Sequence, residues 1–356
     1  MLADNLKDIQ NKAKERTVKT QNIEYDLETL VKKINNGIIK LNPEYQRNHR
    51  WENSTSSKLI ESLILNIPVP LIYISQDVDV DDEVDEGIAR YSVIDGQQRL
   101  TAIHKFLMND LILEGLEVLE ELNGLKHNQL PSFLIRRLEE RTIRCLRIDS
   151  TIDNQVKYDI FERLNSGSVK LEPQELRNAT CRGPFKKLIK ELAKNHLFIS
   201  ATKLTDKKID KMEDEELVLR YFALSYKDGY KQYKSSFKNF LTRKMTEFNE
   251  LSLDELSILK KNFINTFQII ENSDVELPFT KYRSKDGQLE WMSNFNVAVY
   301  DSLVVPLSKM PPSTILNIDT FRTLFHDTDY FKTVEGSTND ASKVHTRIDK
   351  SIETLL

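Results

Sequence analysis

The chain has 356 residues, 39% of them apolar and 30% charged, with ten glycines, ten prolines, a net charge of −4 and a pI of about 6.0. That length supports about two domains and a large core, and the charge balance excludes a generally basic nucleic-acid-coating protein, leaving any such binding to a local patch. Two cysteines, Cys145 and Cys181, make no disulfide framework and suit a reducing cytosol; no apolar run reaches the ~20 residues of a bilayer span, and the charged start MLADNLKDIQNKAKER reads as no signal peptide, so a cytoplasmic chain without membrane contact is expected.

Taken in order, Leu6 to Arg16 reads as a short polar helix or a frayed arm. Asp26 is placed as an N-cap for a helix carrying Leu27, Leu30, Val31 and Ile34, with Gly37 as its stop. Ile38 to Leu41 follows as a short strand. The next segment, Asn42 to Trp51, is dense in arginine, amide and aromatic groups, and Pro43 keeps its start extended. Asn53 or Ser54 is expected to cap a helix with Leu59, Ile60, Leu63 and Ile64 on its core face. Pro68 and Pro70 end it, and Leu71 to Ile74 reads as a strand. Asp77 to Glu86 holds seven acidic residues in ten. It lacks the central glycine and closing glutamate of an EF-hand loop, so a solvated hairpin loop is expected.

Tyr91 to Phe106, YSVIDGQQRLTAIHKF, reads as strand, tight turn and helix. Tyr91 to Ile94 is short, apolar and β-branched. Asp95-Gly96 is a turn dipeptide. Leu100, Ile103, Phe106 and Leu107 share one helical face, so the helix begins at about Gly96 to Gln98. The first N–H groups of a helix lack intrahelical partners and carry partial positive charge. A glycine-led turn into such an end can cradle phosphate. Arg99 adds a fork suited to phosphate oxygens, and Gln97 and Gln98 can each orient a water or a base edge. Asp95 fits beside phosphates only if it holds a metal, a ribose hydroxyl or an arginine. The same residues would also serve an ordinary strand-to-helix connection.

Short strands and turns are expected from Asn109 to Gly124, a helix near Pro131 to Glu139 and a strand over Arg141 to Ile148. A helix opened by Asp153 closes at Asn165 to Gly167, and Glu172-Pro173 starts another that bears Gln174, Glu175 and Arg177. From about Gly183 helix follows helix: Pro184 to Asn195, Glu213 to Tyr226, Lys231 to Glu247, Leu253 to Glu271, Phe295 to Lys309 and Ala341 to Leu355. The expectation is an α+β domain over 1–180 followed by an all-α helical domain over 181–356. The six histidines are scattered without metal-ligand spacing, and no Walker A lysine motif, GxSxG elbow or His–Asn–His nuclease hairpin occurs. Tyr226 to Lys244 sets six basic residues against one acidic among aromatics. Lys231, Lys234 and Lys238 there are candidate DNA contacts, although an amphipathic helix with Tyr233, Phe237 and Phe240 in the core gives the same pattern.

Three motifs occur in order: Pro43-x-Tyr45-Gln46-Arg47-x3-Trp51, then Asp95-Gly96-Gln97-Gln98-Arg99-Leu100-Thr101, then Phe161-Glu162-Arg163-Leu164-Asn165-x-Gly167 followed by Glu175-Leu176-Arg177-Asn178. Together they resemble the N-terminal domain family of GmrSD-type restriction endonucleases, over about residues 25 to 180. The resemblance implies a ParB/sulfiredoxin-like fold, with nucleotide binding and often hydrolysis in bacterial defence against foreign or modified DNA. The leading reading built on it is phosphoanhydride hydrolysis, with a nucleoside triphosphate and magnesium as cofactors. Asp95, Gln97, Gln98 and Arg99 then carry the chemistry, with Asp95 also the metal ligand. Tyr45, Gln46, Arg47, Gly96, Thr101, Arg163, Asn165 and Arg177 are the nucleotide-binding candidates. Larger family members add an HNH nuclease domain that this sequence does not show. A separate nuclease or effector subunit is therefore an expected partner, beside nucleotide and DNA. A non-hydrolysing DNA sensor, or a metal-dependent nuclease using the same cleft, remain alternatives to an NTPase.

Overall fold

The structure is a computed structural model that describes residues 18–41, 51–76, 90–149, 154–164, 171–181, 183–273 and 275–356. The polar helix expected at 6–16, the acidic run from Asp77, and the candidates Tyr45, Gln46, Arg47 and Asn165 lie outside the described residues. The chain divides into two compact units, Met1–Leu171 and Glu172–Leu356. The break falls earlier than residue 180.

In the first unit the elements are β1 (Thr20–Asp26), α1 (Leu27–Asn35), β2 (Ile39–Lys40), α2 (Asn53–Ile64), β3 (Ile72–Gln76), β4 (Tyr91–Asp95), α3 (Gln97–Leu107), α4 (Ser132–Glu139), β5 (Thr142–Ile148) and α5 (Asn154–Leu164). The strands form one sheet in the order β1-β5-β3-β4-β2. β3 lies parallel to β5, with Ile72 opposite Cys145, and antiparallel to β4, with Ile74 opposite Val93. β2 joins β4 in parallel, and β1 joins β5 antiparallel. Ile72, Ile74, Val93, Ile143 and Cys145 from the sheet meet Leu30, Ile60, Leu63, Leu100, Ile103, Phe106 and Leu138 from the helices in one core.

Local chemistry explains the starts and stops. The Asp26 carboxylate accepts from Thr29 N at 2.6 Å, which satisfies an orphan donor at the start of α1. Gly37 takes a φ of 70° just past its end. α2 departs from expectation: its N-cap is Glu52, without a side-chain capping bond. β1 was not foreseen, because TQNIEYD is mostly polar and forms an edge strand with little buried face. The strands expected between Asn109 and Gly124 are absent among the described residues; that stretch is coil and a short 3-10 turn at Glu120–Leu122.

A buried carboxylate organises this coil. Glu61 of α2, 7% exposed, accepts from Val118 N and Leu119 N at 2.8 Å each and from Glu117 N at 3.4 Å. Burial pushes its pKa up, but these donors and Lys58 outweigh burial, and the carboxyl titrates below its usual value. A lowered pKa gives stability that is present above the unfolded value and lost as pH falls through the folded one. Glu61→Gln is therefore expected to cost about 1–3 kcal/mol near pH 7 and to lose less than the parent on acidification below roughly pH 4.3. Urea unfolding at several pH values reads both; parallel pH profiles for the two proteins would remove Glu61 from this role.

The second unit is built from α6 (Pro173–Thr180), α7 (Pro184–Ala193), α8 (His196–Thr202), α9 (Asp206–Ile209), α10 (Glu213–Ser225), α11 (Phe237–Asn249), α12 (Leu253–Asn272), β6 (Lys281–Lys285), β7 (Gln288–Ser293), α13 (Val297–Leu307), α14 (Ile318–Thr323), α15 (Thr328–Thr333) and α16 (Ala341–Leu355). Phe185, Phe222, Phe263, Phe267 and Tyr300 are among the rings of its core. Two expectations are corrected here. The unit is not all-α, since β6 and β7 pair as an antiparallel hairpin. The helix expected from Lys231 begins only at Phe237. Tyr226–Gln232 is an irregular 3-10 segment with left-handed Lys227 and Asp228, and Ser236 at φ 53° breaks the chain again before α11.

Candidate functional site

β4 delivers Asp95 at its end, opposite Tyr73 of β3. Gly96 then turns the chain with φ 95° and ψ 11° and serves as the N-cap of α3. Leu100 N donates to Gly96 O at 2.9 Å as the helix closes its first turn. Gly96, having no side chain, makes no capping bond of its own. Glycine is required twice over. Its φ lies in the left-handed region, and a Cβ there would stand 2.3 Å from Ile72 Cδ1 and 3.2 Å from Arg99 Nη2.

Arg99 folds back across this glycine. Its Nη2 donates to Asp95 Oδ2 at 2.6 Å, and its Nη1 donates to Leu71 O at 3.1 Å and to Pro70 O. The arginine side chain is 12% exposed and the aspartate 38%. One guanidinium thus ties the end of β4 to the entry of β3. Of the roles weighed for Asp95, holding an arginine is the one this arrangement displays. Cys145 on β5 feels the same charge. Burial pushes its thiol up to about 12 although Arg99 pulls the other way, so it is an inert core thiol.

Gln97 is buried, while Gln98 and Thr101 are half-buried in the first turns of α3. Arg163 is exposed on the last turn of α5. Arg177 is fully buried in the second unit on α6. Its Nε donates to Gln174 Oε1 at 2.8 Å, and its Nη2 pairs with Glu216 of α10. Glu216 also accepts from Arg220 Nε at 3.1 Å; Arg220 Nη1 reaches Asp301 Oδ2 at 3.1 Å, and Arg347 Nη2 reaches the same oxygen at 2.8 Å. Asn178 beside Arg177 donates to Glu215 Oε2 at 2.5 Å. The third motif therefore feeds a buried ionic chain through the helical unit. Asp301 and Arg347 were missed in the sequence. The available signal was one aspartate inside the apolar run VAVYDSLVVPL, which is costly to bury unless paired.

Residues 27–181 match the family described as GmrSD restriction endonuclease, N-terminal domain. This segment is similar to the GmrSD N-terminal domain. No curated protein and no solved structure matches the chain. The GmrSD match covers four of the five strands, β2 to β5, with the Asp95–Arg99 turn and α6; it begins just after β1 and runs one helix past the structural break. It points toward restriction, the setting named in the family's description, and with it toward DNA.

Outside the GmrSD segment, the basic stretch separates into two layers. Tyr230, Tyr233, Phe237 and Phe240 are buried, with Tyr233 stacked at 4.5 Å from Phe237, so they offer no face for a base. Lys231 and Lys234 are exposed, Lys238 is half-buried, and Lys231 pairs with Asp228 at 3.3 Å. Among the described residues, no three His, Cys, Asp or Glu side chains gather as a metal site, and no helix is long and apolar enough to cross a membrane.

Proposed function

We propose that this chain is the nucleotide-handling component of a bacterial restriction or anti-phage system, and that the Asp95–Arg99 turn is a phosphate-responsive latch. We read the N-terminal sheet as the ParB/sulfiredoxin-like fold of its family. The observation that carries the proposal is the ion pair folded over Gly96, the left-handed glycine that opens helix α3. Such a start favours anions, and a guanidinium held by one carboxylate can exchange it for phosphate oxygens. Arg99 would turn from Asp95 to the phosphates, and Asp95, so released, would hold magnesium. A single carboxylate suits magnesium, which typically takes one or two together with substrate phosphates. Gln98 would orient the attacking water, and Gln97 would brace the turn. This is positioning and charge stabilisation, as phosphoryl transfer generally requires. DNA would be held by exposed cations, Lys231 and Lys234 among them, and cleavage would fall to a separate effector subunit.

Thermal shift with ATP and GTP, each with and without magnesium, tests the reading. A ligand at 100 times its Kd stabilises by about 2.7 kcal/mol. A shift with DNA but with no nucleotide would favour a sensor instead. Arg99→Ala is expected to abolish most of the nucleotide-dependent shift and to cost roughly 1–3 kcal/mol of its own through the lost bonds to Asp95, Pro70 and Leu71. Arg99→Lys keeps the charge but not the fork, and should recover only part of either. Normal nucleotide titration by folded Arg99→Ala would sink the assignment.

A further inference from the structure

The β6–β7 hairpin is a two-stranded antiparallel ribbon. Its two-residue loop, Asp286-Gly287, has φ of 50° and 79°, the pair of positive values that a type I′ turn demands and that suits the strand twist. The register sets Tyr282 opposite Trp291, so both side chains lie on one face. Tyr282 anchors that face to the unit, its ring 5.5 Å from Phe325. Trp291 is left 62% exposed, yet its polar edge is satisfied: Nε1 donates to Asn294 Oδ1 at 3.0 Å. The exposed indole therefore has no polar atom left to satisfy and offers a ligand aromatic surface.

A cation stands beside Tyr282. The Arg322 guanidinium lies 5.7 Å from the Tyr282 ring centroid. Its ion pair with Asp319, at 3.1 Å, joins two side chains that are 43% and 73% exposed; such pairs are weak and yield to a competing anion. The same arginine lines an open cavity of about 390 Å³ with Ser273, Glu276, Leu316 and Asn317, so it borders free space, with one carboxylate in the same lining. Arg283 and Lys285 alternate onto the opposite face of the ribbon, where they pair with Glu335 and Glu290.

We propose that the Trp291–Tyr282 face and Arg322 form a binding surface for single-stranded nucleic acid, with an unpaired base stacked on Trp291 and a phosphate on Arg322. Aromatic faces with adjacent cations are how sequence-tolerant strand binding works. The surface deepens the DNA-facing half of the proposed function and rests on it for the class of partner, while its chemistry is independent of nucleotide turnover.

The test is fluorescence anisotropy of the full chain with a fluorescein-labelled single-stranded thymidine oligonucleotide, over a salt series. Trp291→Ala is expected to weaken binding roughly ten-fold, the loss of one stacked base, and Trp291→Phe to restore most of it. Arg322→Gln should reduce the slope of log affinity against log salt by about 0.7, one phosphate's share. Arg283→Gln, on the other face, should leave that slope unchanged. Unchanged melting temperature and unchanged nucleotide-dependent shift in Trp291→Ala separate this surface from the Asp95–Arg99 latch. No binding by the parent, equal affinity of Trp291→Ala, or an equal slope change in Arg283→Gln overturns the proposal. Loss of self-association in Trp291→Ala without loss of oligonucleotide binding overturns it too, and assigns the face to a contact between copies.

Discussion

Gly96→Ala is expected to destabilise the N-terminal unit by about 2–5 kcal/mol. Two costs add. A left-handed conformation costs an alanine roughly 1–2 kcal/mol. Forcing a methyl group into a packed site costs about 1–3 kcal/mol more, and this methyl would stand 2.3 Å from Ile72 Cδ1 on β3. The Ile72 side chain is itself in the core, 1% exposed and paired across the sheet with Cys145, so it cannot swing clear without opening a void. Gly37 supplies the control. Its φ is 70°, but nothing lies within 4 Å of its virtual Cβ, so Gly37→Ala should show only the conformational cost. Urea midpoints of the two variants decide the matter: equal losses would mean that the contact with Ile72 contributes nothing.

Asp301→Ala is expected to cost about 3–5 kcal/mol, the usual penalty for stranding a buried charge. Its carboxylate, 1% exposed, is shared by Arg220 and Arg347, and the Arg347 side chain is 1% exposed as well. Burial works against the charge on Arg220, but Asp301 and Glu216 outweigh it and hold its pKa above the ordinary value. At Arg347 burial wins over Asp301, and the pKa is lowered. Removing Asp301 therefore strands one guanidinium already poorly supported and a second left with Glu216. Asp301→Asn, which keeps an acceptor without its charge, should fall between alanine and the parent. Pairing Asp301→Ala with Arg347→Met should recover part of the loss, because an apolar replacement of both partners need not destabilise. Chemical unfolding of the double-mutant cycle measures this; strict additivity would show that the two residues do not act together.

The ionic chain also changes what the third motif means. Arg177 points into the helical unit, where its charge meets Glu216. A motif recognised by order and spacing can thus hold residues with separate tasks. Asp95, Gly96 and Arg99 shape a turn, whereas Arg177 and Asn178 fasten α6 to the start of α10.

What the sequence by itself determined was whatever depends on neighbours a few residues away. Asp26 caps α1 because Thr29 lies three positions on, and Gly37 ends it because only glycine turns left-handed at little cost. The Asp95-Gly96 turn, the apolar stripe of α3 and the proline start of α6 were legible for the same reason. So was the burial of Tyr233, Phe237 and Phe240, since their spacing already allowed a core face. The β6–β7 hairpin carried a local signal in Asp286-Gly287, but its strands KYRSK and QLEWMS are too polar to announce a buried face.

Only the tertiary structure decided the pairings made across long stretches of chain. The polar β1 is a strand because Ile143 to Ile148 of β5 offers it a free edge. Arg99 could reach phosphate, solvent or protein, and the carbonyls of Pro70 and Leu71 turn it toward Asp95 only once β3 lies beside β4. Arg177 and Arg220 join through Glu216, and Arg347 joins through Asp301, because α6, α10, α13 and α16 bring charges to places with no water to share. An ion's partner is fixed by distance and desolvation in three dimensions, and neither is written in the spacing of residues along a chain.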